Sequence, residues 1–337
     1  MTSTVCIVGA GAVGGLIGAR LAEAGADVSV VARGRTADAL RARGLRLLSK
    51  AGETSHPVRV IDDATRETKP DHLIVAVKEP AIASVTPIVA ALAGPATTVV
   101  TAMNGVPWWF FHGLAGAYEG MALRSVDPEG AIAAAIPPTA IVGAVVHLSC
   151  SAPEPGAVRP GMGNRLIVGE PTGEATTRLE SLARLLRAAR FDVDVSPRIQ
   201  ADVWYKLWGN MTMNPISAFT GATADRVLDD PLVNRFCLDV MAEAAAIGAA
   251  IGCPIAQSGE DRIAVTRQLG AFKTSMLQDV EAGKPVEIDA LLSTVREIGE
   301  RVGVLTPRLD TLLGLARLHA RTHRLYPEAA GPRHPHP

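Results

Sequence analysis

A β-prone apolar run, Thr4–Val8, leads directly into Gly9-Ala10-Gly11-Ala12-Val13-Gly14-Gly15, and small residues then continue at helical pitch to about Ala24. No other stretch restricts the fold of this chain so tightly. Glycines spaced G-x-G-x-x-G between a strand and a helix open a βαβ unit whose helix N-terminus faces an anion. Gly9 permits the tight turn, Gly11 lets a pyrophosphate approach the backbone, and Gly14 lets the helix press on the strand. The first helical residues, Ala12 and Val13, offer N–H groups at the positive end of the helix dipole. A second strand at 27–32, arriving after Gly25, completes the unit. The expectation is an α/β, Rossmann-type dinucleotide-binding domain.

The end of the second strand selects the dinucleotide. An NAD enzyme places Asp or Glu there to accept from the ribose 2′-OH. This chain has Arg33, which suits a 2′-phosphate through charge-assisted contacts, so NADP (as NADPH) is the expected cofactor. A plain surface arginine is the alternative. Two further strands, at 71–77 and 97–102, end in Lys78 and in Asn104-Gly105. In a parallel sheet both ends lie on the cofactor-facing edge. Lys78 as a loop lysine and Asn-Gly as a simple turn pair stay open as readings.

A length of 337 residues suggests two domains rather than one core. Hydrophobic residues at 48% against 20% charged residues allow a large core, and a net charge of -1 without a basic block argues against nucleic acid as a partner. Cys6, Cys150, Cys237 and Cys253 lack metal or CxxC spacing and read as reduced thiols of a cytoplasmic protein. No apolar run reaches the roughly 20 residues of a membrane span, and the N-terminus lacks a basic region before its apolar run.

Val106-Pro107-Trp108-Trp109-Phe110-Phe111-His112 gathers four aromatics in a chain that is only 4% aromatic. Adjacent bulky rings are not expected all to point inward, so at least one should line the substrate entrance or an intersubunit contact, which leaves a homodimer open. Residues 113–138, rich in Gly, Ala and Pro, read as a mobile excursion with little structure. Strands are expected at 141–150 and 165–168, separated by a Pro- and Gly-rich loop at 152–164 and adding antiparallel pieces to the sheet. An amphipathic helix at 174–189 and a short strand at 191–195 precede a boundary at Ser196-Pro197. The domains are therefore placed at 1–197 and 198–326, with a disordered tail at 327–337; its His334 and His336 are not read as metal ligands. The second domain should be all helical, with long helices at 231–252, 259–282, 287–303 and 309–322.

The first helix of that domain holds the most unusual pattern. At helical spacing Lys206, Asn210, Met213, Asn214 and Ser217 share one side, while Trp204, Leu207, Trp208, Met211, Ile216 and Phe219 suit burial. Asn is a poor helix former, and Pro215 should kink or end the helix beside the stripe. A polar stripe on so apolar a helix faces either solvent or a wet cleft. Exposed faces usually carry Glu, Lys and Arg, so a Lys with two Asn points to a binding site. Glu287 follows a Gly-Lys-Pro break in the first turn of a helix, where offsetting the dipole is the ordinary reading. Ser275 reads as a mid-helix serine.

Together these residues resemble the ketopantoate reductase (2-dehydropantoate 2-reductase) family over nearly the whole chain. The motifs that carry the likeness are Gly9 to Gly14, Asn104-Gly105, Lys206-Leu207 followed by Asn210 and Asn214-Pro215, Ser275-Met276-Leu277-Gln278-Asp279, and Glu287-Ile288-Asp289. The chain differs from the family in having Glu79-Pro80-Ala81 after Lys78 and in its run of aromatics. The resemblance implies a second domain like the C-terminal domain of 6-phosphogluconate dehydrogenase, and a 2-oxo acid reduced by NADPH in pantothenate biosynthesis. It makes Lys206 the proton donor and Glu287 a hydrogen-bond partner of the substrate hydroxyl. Asn104, Asn210, Asn214 and Ser275 become substrate-binding groups, and Arg33, Lys78 and Asn104 cofactor contacts. Another NADP-dependent 2-oxo or hydroxy acid dehydrogenase on this plan, a non-catalytic NADPH sensor and a dimeric scaffold are the alternatives.

Overall fold

The computed structural model describes residues 2–328; from residue 329 the expected tail, with His334 and His336, lies outside the described residues. Two compact units, Met1–Lys206 and Leu207–Pro337, divide inside the helix Ile199–Thr220.

In the first unit, β1 (Thr4–Val8), α1 (Ala12–Glu23) and β2 (Asp27–Val31) make the opening βαβ, followed by α2 (Gly34–Arg43). Next come β3 (Leu45–Ser49), β4 (Gly52–His56), β5 (Arg59–Ile61), β6 (His72–Val75), α3 (Ile82–Leu92) and β7 (Thr98–Thr101). The unit continues through α4 (Ala131–Ala135), β8 (Ile141–His147), β9 (Cys150–Glu154), β10 (Ala157–Pro160), β11 (Arg165–Gly169), α5 (Thr177–Ala188) and β12 (Asp192–Val195) into α6 (Ile199–Thr220). The main sheet runs β12-β11-β8-β7-β6-β1-β2-β5. Every pairing from β5 across to β8 is parallel; β8–β11 is antiparallel and β11–β12 parallel again. Every residue of β6 and of β7 is buried, as central strands covered on both faces require.

Sequence reading missed a second sheet, β4-β3-β10-β9. The expected loop at 152–164 is largely its β9–β10 hairpin, and proline is tolerated there because β9 is an edge strand and Pro160 ends β10. Helix α1 lies between the sheets. A Cβ on Gly15 would stand 2.6 Å from Val158 of β10, and one on Gly18 would meet Leu45 of β3 at 3.0 Å and Ile7 of β1 at 3.2 Å. Its small residues therefore serve packing on both sides, beyond the phosphate turn.

Two further expectations fail in this unit. Residues 113–138 are folded: Leu114, Leu123, Val126, Ile132 and Ile136 are buried, and the Asp127 carboxylate accepts from the N–H groups of Ile132 and Ala133 at the start of α4. Scattered apolar anchors and one capping carboxylate give structure that a Gly/Ala/Pro-rich composition hides. The four consecutive aromatics are also all buried, from Trp108 at 6% exposed to Phe110 at 0%. The segment is irregular rather than a strand or helix, so successive rings leave the backbone in directions that no regular period allows.

The second unit is helical throughout its described residues. After α6 come α7 (Ala224–Asp229), α8 (Pro231–Ala250), α9 (Gly259–Arg267), α10 (Ser275–Glu281), a π-helical turn at Asp289–Ser293, α11 (Thr294–Val302) and α12 (Pro307–Thr322). The single helix expected at 259–282 is two, because the chain turns at Gly270 with φ +63° and Thr274 caps a new start by accepting from Leu277 N–H. Ser275 is thus the first residue of α10, not a mid-helix one. Pro215 does not end α6, which continues to Thr220.

Candidate active site

Parallel strands bring the predicted groups of the first unit to one edge. Val8 pairs in register with Val31 on one side and Val75 on the other, and Val75 pairs with Thr101. The strand ends are therefore level. Beyond them come Arg33 after β2, the glycine loop after β1, Lys78 after β6 and Asn104 after β7, in that spatial order.

The glycines occupy the positions their spacing predicts. Gly9 has φ +101°, and a Cβ there would lie 2.7 Å from Val77. A Cβ on Gly14 would stand 2.1 Å from the Gly9 carbonyl oxygen and 3.0 Å from Ala76, so the α1–β1 approach admits no side chain. A Cβ on Gly11 would meet nothing within 4 Å, which leaves its backbone open to a ligand. Gly11 is the N-cap residue of α1 and offers no side chain to its first N–H groups, those of Ala12 and Val13 among them. These residues fit a pyrophosphate.

Arg33 stands exposed in extended backbone at the start of α2, beside a cleft of about 340 Å³ lined by Val31, Arg33, Arg41, Ile61 and Asp62 among others. Arg41 pairs with Asp62 and, at 3.5 Å, with Asp38. Arg33 has no carboxylate partner among the described residues. Lys78 is half-buried at the start of a short 3₁₀ turn, Glu79–Ala81, on the same edge.

Lys206 reaches this edge from α6. Its Nζ donates to Asn104 Oδ1 at 2.7 Å and to the Val146 carbonyl, near the end of β8, at 2.7 Å. Both of these acceptors are neutral, and they stand at or just beyond the ends of the adjacent strands β7 and β8. The Asn104 amide presents its oxygen to Lys206, which turns its NH₂ away. The Val146 carbonyl is a backbone group and carries no signature that sequence reading could have found.

The aromatic run explains how α6 is held. Trp109 Nε1 donates to Thr101 Oγ1 at 3.0 Å, and its ring fills the space that Gly143 of β8 leaves, where a Cβ would be 2.5 Å away. Phe110 packs edge-on to Phe111 and, at 6.0 Å between centroids, against Trp204, two residues before Lys206. These rings buttress the lysine's helix and do not line an entrance. Trp109→Phe, losing one buried hydrogen bond and part of the ring volume, should lower stability by about 1–3 kcal/mol. Its selectivity among 2-oxo acids should match wild type; a changed substrate ranking in a stable variant would return the run to the entrance.

In the second unit Trp208 Nε1 donates to the Met241 carbonyl at 2.8 Å and ties α6 to α8. Asn210 and Asn214 follow Lys206 at intervals of four along α6, half-buried and buried respectively, while Ser275 is exposed. Glu287 is buried at 8% exposure and immediately precedes the helix that opens into the π turn, so it is not inside a first helical turn. Pro215, Met276, Val286 and Ile288 line one small apolar cavity, and each is the chain neighbour of Asn214, Ser275 or Glu287. The C-terminal segment secures the turn after Glu287. Tyr326 OH donates to both Asp289 oxygens at 2.8 and 2.9 Å, and Val286 N–H donates to the Leu325 carbonyl. Burial, with Asp289 adjacent, pushes the Tyr326 hydroxyl up to about 12, so it stays a donor. Burial likewise pushes the Cys6 thiol to about 11 and the Cys237 thiol to about 12, which removes them as thiolate nucleophiles.

A glycine-loop parallel sheet, with an amide-held lysine at its carboxyl edge and an all-helical second unit, defines the class of nicotinamide-dinucleotide-dependent reductases. The model for ketopantoate reductase PanE/ApbA matches residues 5–173, and that for the C-terminal part of ketopantoate reductase matches residues 198–320. The 2-dehydropantoate 2-reductase of Mesorhizobium japonicum is 41% identical over 314 residues, covering 93% of this chain and 96% of that protein. Among solved structures, a candidate ketopantoate reductase from Ralstonia solanacearum MolK2 is 58% identical with a TM-score of 0.93, covering 97% of this chain and 100% of that one. The 2-dehydropantoate 2-reductase of Methylococcus capsulatus is 27% identical with a TM-score of 0.80, covering 97% and 99%. This chain belongs to the ketopantoate reductase family and is an oxidoreductase.

Proposed function

We propose that the chain is a 2-dehydropantoate 2-reductase of pantothenate biosynthesis, taking its hydride from NADPH and its proton from Lys206. The observation that carries this reading is the Lys206 ammonium fixed by Asn104 and Val146 at the carboxyl edge of the sheet. NADPH supplies the hydride when bound. Gly9, Gly11 and Gly14 keep the turn open for the pyrophosphate, the Ala12 and Val13 amides meet its charge, and Lys78 and Asn104 contact the cofactor along the same edge.

Hydride addition to a 2-oxo acid leaves an alkoxide, which needs a proton donor at that oxygen. Lys206, tied to Asn104 and Val146 at the sheet edge, is that donor. Glu287 accepts from the substrate hydroxyl, and Asn104, Asn210, Asn214 and Ser275 donate to substrate oxygens. Four free cysteines accord with a cytoplasmic setting, and no helix among the described residues is long and apolar enough to cross a membrane.

The test is a screen of 2-oxo acids with NADPH, following loss of cofactor absorbance. 2-Dehydropantoate should give the highest kcat/KM, and a better alternative acid would displace it as substrate. Arg33 meets the 2′-phosphate, since Arg41 is already paired and Arg33 is not. Arg33→Ala should raise the KM for NADPH about 10- to 100-fold with little change for NADH. Equal losses for both cofactors would exclude a 2′-phosphate contact.

A further inference from the structure

Glu287 lies in a part of the second unit with little regular support. Gly283-Lys284-Pro285 before it is exposed, and Glu287 itself belongs to no helix. Ile288 N–H donates to the Val286 carbonyl at 3.2 Å, which closes a three-residue turn with Glu287 at its centre. One such bond leaves the direction of the central side chain to whatever anchors the two ends of the turn.

Two adjacent residues anchor both ends. Helix α12 ends at Thr322, and Arg324, with φ +58°, turns the backbone so that Leu325 N–H returns to the Ala320 carbonyl at 2.7 Å. The Leu325 side chain is buried, and its carbonyl accepts from Val286 N–H at 3.1 Å, just before Glu287. Tyr326 reaches the other side, where its hydroxyl meets both Asp289 oxygens at 2.8 and 2.9 Å. Asp289 opens the π-helical turn and also accepts from Ser293 Oγ at 2.6 Å. Arg317 donates to that Ser293 Oγ at 2.8 Å and stands 3.7 Å from the Asp289 carboxylate. The strap is itself fastened to α12: Arg321 lies 5.5 Å from the Tyr326 ring centre and donates to the Pro327 carbonyl at 3.1 Å. Turns of π type are rare and recur at functional sites, and this one begins two residues after the carboxylate that the strap brackets.

We propose that the Tyr326–Asp289 contact is a lock that positions the Glu287 carboxylate for the substrate hydroxyl, which makes Tyr326 a positioning residue of the reduction. This rests on the reading of Glu287 as the partner of that hydroxyl. A shift of about 1 Å in a reacting arrangement can cost about 10²-fold in rate, so loss of one anchor is measurable without unfolding. The test is a double-variant cycle in the full-length enzyme with 2-dehydropantoate and NADPH. Tyr326→Phe keeps the ring, its contact with Arg321 and the backbone bonds of the strap, and loses only the hydroxyl. It should lower kcat/KM for the 2-oxo acid about 10-fold, with the KM for NADPH unchanged. In a Glu287→Gln background the same change should cost less than about twofold, because no carboxylate is left to position. Asp289→Asn, which still offers Tyr326 an oxygen, should show the same pattern with a smaller loss. An equal factor in both backgrounds makes Tyr326 a stability residue and overturns the proposal, as do wild-type kinetics in Tyr326→Phe beside a slowed Glu287→Gln. Wild-type turnover in Glu287→Gln alone overturns the role of Glu287, and this inference with it.

Discussion

Lys206→Ala is expected to lose about 10²–10⁴-fold in turnover while still binding NADPH. The argument is one of supply. The alkoxide left by hydride addition is too basic to remain unprotonated, and Lys206 is the cation tied to Asn104 at the sheet edge. Asn104 and Val146, each accepting from its Nζ at 2.7 Å, fix the lysine in place. Lys206→Arg should not restore the rate, because a guanidinium gives up a proton poorly at neutral pH. Asn104 and Val146 lose their donor in the alanine variant, so a thermal melt should accompany the kinetics to separate a chemical loss from a structural one. Single-turnover hydride transfer at saturating cofactor is the decisive measurement. A loss below about tenfold, short of what a positioned general acid contributes, would remove Lys206 from the chemistry.

Two glycines of one motif should respond in opposite ways. Gly14→Ala places a methyl 2.1 Å from the Gly9 carbonyl oxygen and 3.0 Å from Ala76, both in well-packed surroundings. Relief requires α1 to move off β1, so stability should fall by about 1–3 kcal/mol or more, and NADPH binding should fall with it. Gly11→Ala meets nothing within 4 Å and keeps φ at -75°, which alanine adopts freely. Its melting temperature should stay near wild type. Its affinity for NADPH should still drop, because the new methyl stands where the pyrophosphate approaches. Thermal unfolding and a cofactor titration on both variants check this. Unimpaired NADPH binding by a folded Gly11→Ala would move the phosphates away from the glycine turn.

What was legible in the sequence was what depends on near neighbours. The glycine loop, the strand ends carrying Arg33, Lys78 and Asn104, and the stripe from Lys206 to Ser217 all follow from spacing along a few turns of chain. A strand end and a helix face are local facts, so these residues could be placed before any tertiary contact was known. The same local reasoning went wrong where packing decides. Four adjacent aromatics were expected to include a surface ring, yet the irregular backbone at 107–120 turns all of them inward, against Thr101, Gly143 and Trp204. The β9–β10 hairpin looked like a loop because prolines weaken strand propensity, and only a partner, β3, makes it a sheet. Lys206 meeting Asn104 joins residues 102 apart, and the Arg262 guanidinium lying against Gly209 joins two different helices. By itself the sequence determined which groups are present and which face of its own element each one occupies. Which groups meet depended on how strands and helices distant in the chain bury their apolar faces, and no local period encodes that.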